Sequence, residues 1–96
     1  MPAVVVTKRA QSDLDRLIRT RDLPPSTRAR VRGSLRPLET YPLLGARVGL
    51  AGAGYRFVLG PWPWMLLVYW FDSERDLVFV ISIEDARTAD AITATQ

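Results

Sequence analysis

Arg56 sits in the glycine-bounded segment Gly54-Tyr55-Arg56-Phe57-Val58-Leu59-Gly60, and Arg87 closes Glu84-Asp85-Ala86-Arg87 after the last apolar run. Guanidinium groups at segment ends suit one kind of chemistry above others. They hold an anion bidentately, and they stabilise charge as it develops on a phosphate without giving up a proton. If a phosphodiester is cut here, the candidate reaction is attack by an RNA 2′-hydroxyl, assisted by Glu84 or Asp85 and stabilised by Arg56 and Arg87. The competing reading is structural, with Arg56 paired to Glu84 or Asp85 and Arg87 paired to Asp85 or Asp90.

A second group of residues is suited to binding. Arg28, Arg32 and Arg36 recur at intervals of four, which aligns them along one flank of a helix. With Arg47 they are candidates for contact with nucleic acid or with an acidic partner, against the plainer reading of a solvated flank. Trp62 and Trp64 flank Pro63 in a turn. Of the two, Trp62 is the better candidate to stack on a base or anchor a peptide, and the alternative is an indole that caps the core.

Composition removes whole classes of function. The chain has no histidine and no cysteine, so a zinc site, a thiolate nucleophile and a Ser-His-Asp triad are all excluded. No metal ligand set and no cofactor motif is present. No apolar run approaches the length of a membrane span, and the N-terminus lacks a signal-peptide core, so a soluble cytoplasmic protein is expected. Charge is uneven. Residues 7–56 carry eleven Lys or Arg against Asp13, Asp15, Asp22 and Glu39, whereas residues 57–96 carry Arg75 and Arg87 against six acids.

The elements that must position these residues read as one α+β domain spanning 1–96. Ala3 to Val6 is a short strand that could accept a further strand along its edge, from a partner or from a second copy in a homodimer. Thr7 caps a helix whose apolar face is Ala10, Leu14, Leu17 and Ile18 and which runs to about Arg21. Ser26 or Thr27 caps a second helix that turns Val31, Leu35 and Leu38 inward. Pro37 predicts a kink or an early end to it. Arg47 to Leu50 is a weak strand before the turn at 51–54. Three stronger strands follow, over Tyr55 to Leu59, Trp64 to Phe71 and Leu77 to Ile83. The middle one is apolar on both faces, as a central strand covered by helices would be. Residues 88–96 read as a frayed helix or a disordered tail. The expected architecture is an N-terminal strand and a helical hairpin packed on a mostly antiparallel sheet of three to four strands.

Taken in order, these segments resemble the RelE/ParE superfamily of bacterial toxins over nearly the whole chain. Thr7-Lys8-Arg9-Ala10 with Asp13-Leu14 and Leu17 is similar to its opening helix. Leu35, Leu38 and Tyr41-Pro42-Leu43-Leu44-Gly45 are similar to the close of its second. Gly54-Tyr55-Arg56-Phe57, Val68-Tyr69-Trp70-Phe71-Asp72 and Val78 to Ile83 with Ala86-Arg87 resemble its three later strands. The resemblance implies the toxin of a type II toxin–antitoxin system, covered by a cognate antitoxin. It offers two activities, a metal-independent cut of ribosome-bound mRNA by RelE-like members or poisoning of DNA gyrase by ParE-like ones. The nuclease pattern usually places a further arginine where this chain has Trp64-Met65-Leu66-Leu67, and a tyrosine or histidine in the tail after Arg87. Their absence tilts the expectation toward the ParE-like, non-nucleolytic role. A non-toxic peptide- or nucleic-acid-binding module on the same fold is the reading from a different class.

Overall fold

The computed structural model describes residues 1–49 and 54–88. In chain order these form β1 (Ala3–Val6), α1 (Lys8–Thr20), α2 (Thr27–Leu35), a 3-10 turn (Arg36–Glu39), β2 (Ala46–Arg47), β3 (Tyr55–Leu59), β4 (Met65–Asp72) and β5 (Leu77–Asp85). The strands make one five-stranded sheet in the order β1-β5-β4-β3-β2. All neighbours are antiparallel except β1 and β5, which run parallel with Ala3 opposite Leu77 and Val6 opposite Val80. The α+β class holds. The sheet is one strand wider than expected because β1 joins it and β2 extends its far edge.

The helices form for the reasons their spacing gives. Thr7 caps α1, its hydroxyl accepting the Ala10 amide at 3.3 Å and donating to the Val80 carbonyl at 2.8 Å. The cap therefore also ties the helix start to β5. Asp13 is buried on the inner face of α1, where its carboxylate accepts the Ile83 amide at 3.1 Å. The second helix corrects the expected cap, because Ser26 makes no side-chain cap bond and the Thr27 hydroxyl donates to the Pro24 carbonyl at 2.6 Å. Pro37 ends α2 as expected, and the chain tightens into the 3-10 turn that seats Leu38 in the core.

That core lies between the hairpin and one face of the sheet. Ala10, Leu14, Leu17, Val31, Leu35 and Leu38 from the helical layer meet Met65, Leu67, Tyr69, Val78, Val80 and Ile83 from β4 and β5. Each buried Val, Leu, Ile or Met among them contributes about 1.5–3 kcal/mol by leaving water. β4 is the central strand, and the helical hairpin covers one of its faces, as expected. On the other face Leu66 and Val68 are also buried. They lie between Leu59 and Glu84, and between Phe57 and Ser82, in the pairing of the three longest strands.

Two strand boundaries differ from expectation. β5 runs on through Glu84 and Asp85, with Asp85 opposite Met65. β2 is only two residues long, and Leu50 of the weak strand expected there lies outside the described residues, as do the turn at 51–53 and the tail at 89–96. Among the described residues, no helix is long and apolar enough to cross a membrane.

Candidate functional site

Arg56 lies on β3 directly opposite Tyr69 of β4 and Arg47 of β2. Its guanidinium donates to the Gly45 carbonyl at 2.8 Å. The Gly45 amide in turn donates to the Tyr69 hydroxyl at 2.9 Å in a buried position. Burial pushes the Tyr69 phenol up, against the Gly45 hydrogen bond and the nearby Arg56 charge. Gly45 cannot be another residue without a shift, since a Cβ there would lie 2.5 Å from the Phe57 carbonyl oxygen and 2.8 Å from the Tyr69 ring. Arg56 thus pins the loop after the 3-10 turn to the sheet. Its partner is a backbone carbonyl, not the Glu84 or Asp85 carboxylate considered from sequence.

Arg87 belongs to a separate cluster. Its Nε and Nη2 donate to the two oxygens of Asp85 at 3.0 and 2.9 Å, and Arg21 from the end of α1 donates to Asp85 Oδ2 at 2.9 Å. The Asp85 side chain is only 2% exposed. The Arg87 side-chain hydrogen bonds hold its carboxyl well below the usual carboxylate range, outweighing the cost of burial, with the Arg87 amide and Arg21 adding to the effect. The same pairing raises the Arg87 guanidinium further. A carboxylate held this low, with both oxygens engaged, is a poor proton acceptor. Glu84, its neighbour on β5, points to the opposite face, where it accepts the Ser82 hydroxyl at 2.9 Å.

The two candidate arginines are not brought together. Arg56 is level with Tyr69 on β4 whereas Asp85, which holds Arg87, is level with Met65. Four residues of strand separate these levels, about 13 Å at the usual rise. Each guanidinium is held at its own level, Arg56 on the Gly45 carbonyl and Arg87 on Asp85.

Trp62 is likewise engaged. Its ring stacks on Trp64 with centroids 6.0 Å apart, Arg30 lies 5.9 Å from its centroid, and Arg87 lies 4.4 Å above Trp64. The four side chains form a continuous series from α2 to the end of β5. Arg28 pairs with Asp15 across the hairpin, while Arg32 and Arg36 are exposed beside β1, where they line a cleft with Val4 and Val6.

The uncovered face of the sheet completes the picture. Strand alternation puts Tyr55, Trp70, Phe79 and Val5 there in one transverse row across four strands, with Trp70 and Phe79 stacked at 6.2 Å. Phe57, Leu59, Leu66 and Val68 lie beside that row. Among the described strand residues, this face carries no Lys or Arg, and its charged members are Asp72 and Glu84. Two adjoining clefts open at the β2–β3 end of the sheet. One, of about 470 Å³, is lined by Arg47, Tyr55, Arg56 and Trp70, and the other, of about 440 Å³, by Tyr41, Pro42 and Leu44. They share Leu43 and Phe71.

Sequence reasoning missed Arg21 as a partner of Asp85, because 64 residues separate them and nothing local announces the pair. It also passed over Tyr41, Leu43 and Leu44 as site residues. Their signal was present, since bulky apolar residues in a loop after a proline have no core to enter.

No protein-family model and no curated protein matches the chain. Solved structures do. A chain of the RelBE2 toxin–antitoxin complex from Mycobacterium tuberculosis superposes with a TM-score of 0.65 at 25% identity, over 88% of this chain and 99% of that one. A chain of the intact E. coli RelBE toxin–antitoxin complex gives a TM-score of 0.64 at 21% identity, over 92% and 100%. The chain has the RelE toxin fold, and the resemblance read from its motifs is borne out.

Proposed function

We propose that this chain is the toxin of a toxin–antitoxin pair, acts in the cytoplasm, and arrests growth without cutting RNA, with DNA gyrase as its target. The fold and the nature of both similar structures, each a toxin–antitoxin complex, support the toxin role. One observation carries the non-nucleolytic reading. The uncovered sheet face is apolar and edged by acids, while Arg56 and Arg87 are tied to different partners at different levels of the sheet. Catalysis by fixed cations needs them converging on one developing charge. A carboxylate as general base needs a free lone pair and a suitable pKa, and Asp85 has neither.

Pulsed expression in a bacterial host, with mRNA 5′ ends mapped and plasmid supercoiling measured in parallel, tests this. Growth arrest with relaxed or cleaved plasmid and no new 5′ ends is the expected result. New ends at codon boundaries would establish a ribosome-dependent RNA endonuclease instead. Neither arrest nor new ends would leave a non-toxic binding module.

A further inference from the structure

Eight large apolar side chains are exposed among the described residues, and five of them, Tyr41, Leu43, Leu44, Tyr55 and Trp70, line the two adjoining clefts at the β2–β3 end of the sheet. Tyr41, Leu43 and Leu44 are 65, 59 and 57% exposed. Apolar exposure this concentrated marks an interaction surface on a soluble domain. Beside it stands a pair of like charges. Arg47 and Arg56 face each other directly across β2 and β3, an arrangement that costs stability unless an anion relieves it. Among the described residues, neither cleft is lined by an acidic one. We propose that Tyr41, Leu43, Leu44 and Trp70, with the Arg47–Arg56 pair, form the docking surface for a partner polypeptide segment that carries bulky apolar residues next to carboxylates. The inference deepens the toxin reading and rests on it for the partner's identity, a neutralising protein.

The chemistry selects this occupant over two others. Nucleic acid gains nothing from Leu43 and Leu44, and its natural ground on this molecule is the cation-rich helical flank. A second copy would bring Arg47 toward its own counterpart, with no acid among the described cleft residues to relieve the repulsion. An acidic, apolar segment satisfies both halves of the surface. Its apolar side chains fill the clefts, and a carboxylate takes the fork of Arg47 in a charge-assisted bond. Gly45, locked between Arg56 and Tyr69, fixes the loop that presents the apolar ridge. That loop is therefore preformed.

The test is selection from a displayed library of random peptides on the full chain, followed by anisotropy titration of the enriched peptides. The expected consensus has Leu, Ile, Phe or Trp interspersed with Asp or Glu. Leu43→Ser/Leu44→Ser and, separately, Arg47→Glu should each weaken binding about tenfold or more. Arg32→Glu/Arg36→Glu, on the remote helical flank, should leave it within about twofold. These side chains are exposed, so the variants should keep the wild-type circular dichroism and melting point. A basic or uncharged consensus, no enrichment, or binding indifferent to the cleft variants would overturn the proposal. So would oligonucleotide binding or dimerisation that the cleft variants abolish. A chain that arrests growth but enriches no such peptide fails this inference alone. One that enriches them without arresting growth fails the toxin reading and keeps the surface.

Discussion

At the scale of single residues, buried Asp85 is the clearest case of charge used for architecture. It joins the end of α1, through Arg21, to the end of β5, through Arg87. Because its folded pKa is depressed, the stability it contributes is fully present above its unfolded pKa of about 4 and is lost as pH falls toward the folded value. Asp85→Asn should cost about 2 kcal/mol at pH 7, the scale of hydrogen bonds to a charged group. Urea unfolding of both proteins should show the gap narrowing as the pH drops below about 4. Gly45→Ala should cost about 2 kcal/mol or more, as overpacking against a backbone carbonyl and a buried ring does, and a thermal melt reads it directly. The identities of Arg56 and Arg87 were legible in the sequence as candidate residues. Asp85 was also legible as one of two candidate partners for Arg87, two residues away, whereas the Gly45 carbonyl that holds Arg56 was not, since a carbonyl in a remote loop leaves no local pattern.

Elements were more legible than partners, because apolar period survives in a single sequence. Thr7, Ala10, Leu14 and Leu17 announced α1, and Pro37 marked the end of α2. The end of β5 was misread for a physical reason. Glu84-Asp85 looks like a turn, and only the two arginines that neutralise Asp85 let the strand continue through it. The parallel pairing of β1 with β5 was also unreadable, since four β-branched or small residues fix no register. That pairing can be checked. Val4 and Val6 pack against the core while Val5 is 38% exposed on the other face. Val6→Thr should therefore cost about 1.5 kcal/mol by burying an unpaired hydroxyl. Val5→Thr should stay within about 0.5 kcal/mol of wild type. Equal effects in chemical denaturation would mean that the strand sits in another register.

Over the whole molecule, charge is sorted by layer. The helical layer exposes Lys8, Arg9, Arg16, Arg19, Arg28, Arg30, Arg32 and Arg36, whereas the open sheet face is apolar and edged by acids. The imbalance between the two halves of the chain was legible from composition, but its assignment to opposite faces needed the strand register. The helical layer should bind polyanions weakly and without sequence preference. Arg28 is already paired with Asp15, so Arg32→Gln/Arg36→Gln should lower the slope of log affinity against log salt by about 2 in a heparin or oligonucleotide titration. Peptide binding at the β2–β3 end should not change with it.

The parallel contact between the first strand and the last also sets a timetable. Thr7 and Val80, 73 residues apart, must meet before α1 is anchored to the sheet. At roughly 5–20 residues per second of translation, β1 waits about 4–15 s for its partner to be made. During that interval the nascent chain has no completed sheet and therefore no finished activity. Under the toxin role proposed above, a neutralising protein already present nearby would meet the newly closed fold as soon as it forms, and the order of synthesis itself would help to protect the cell that makes it.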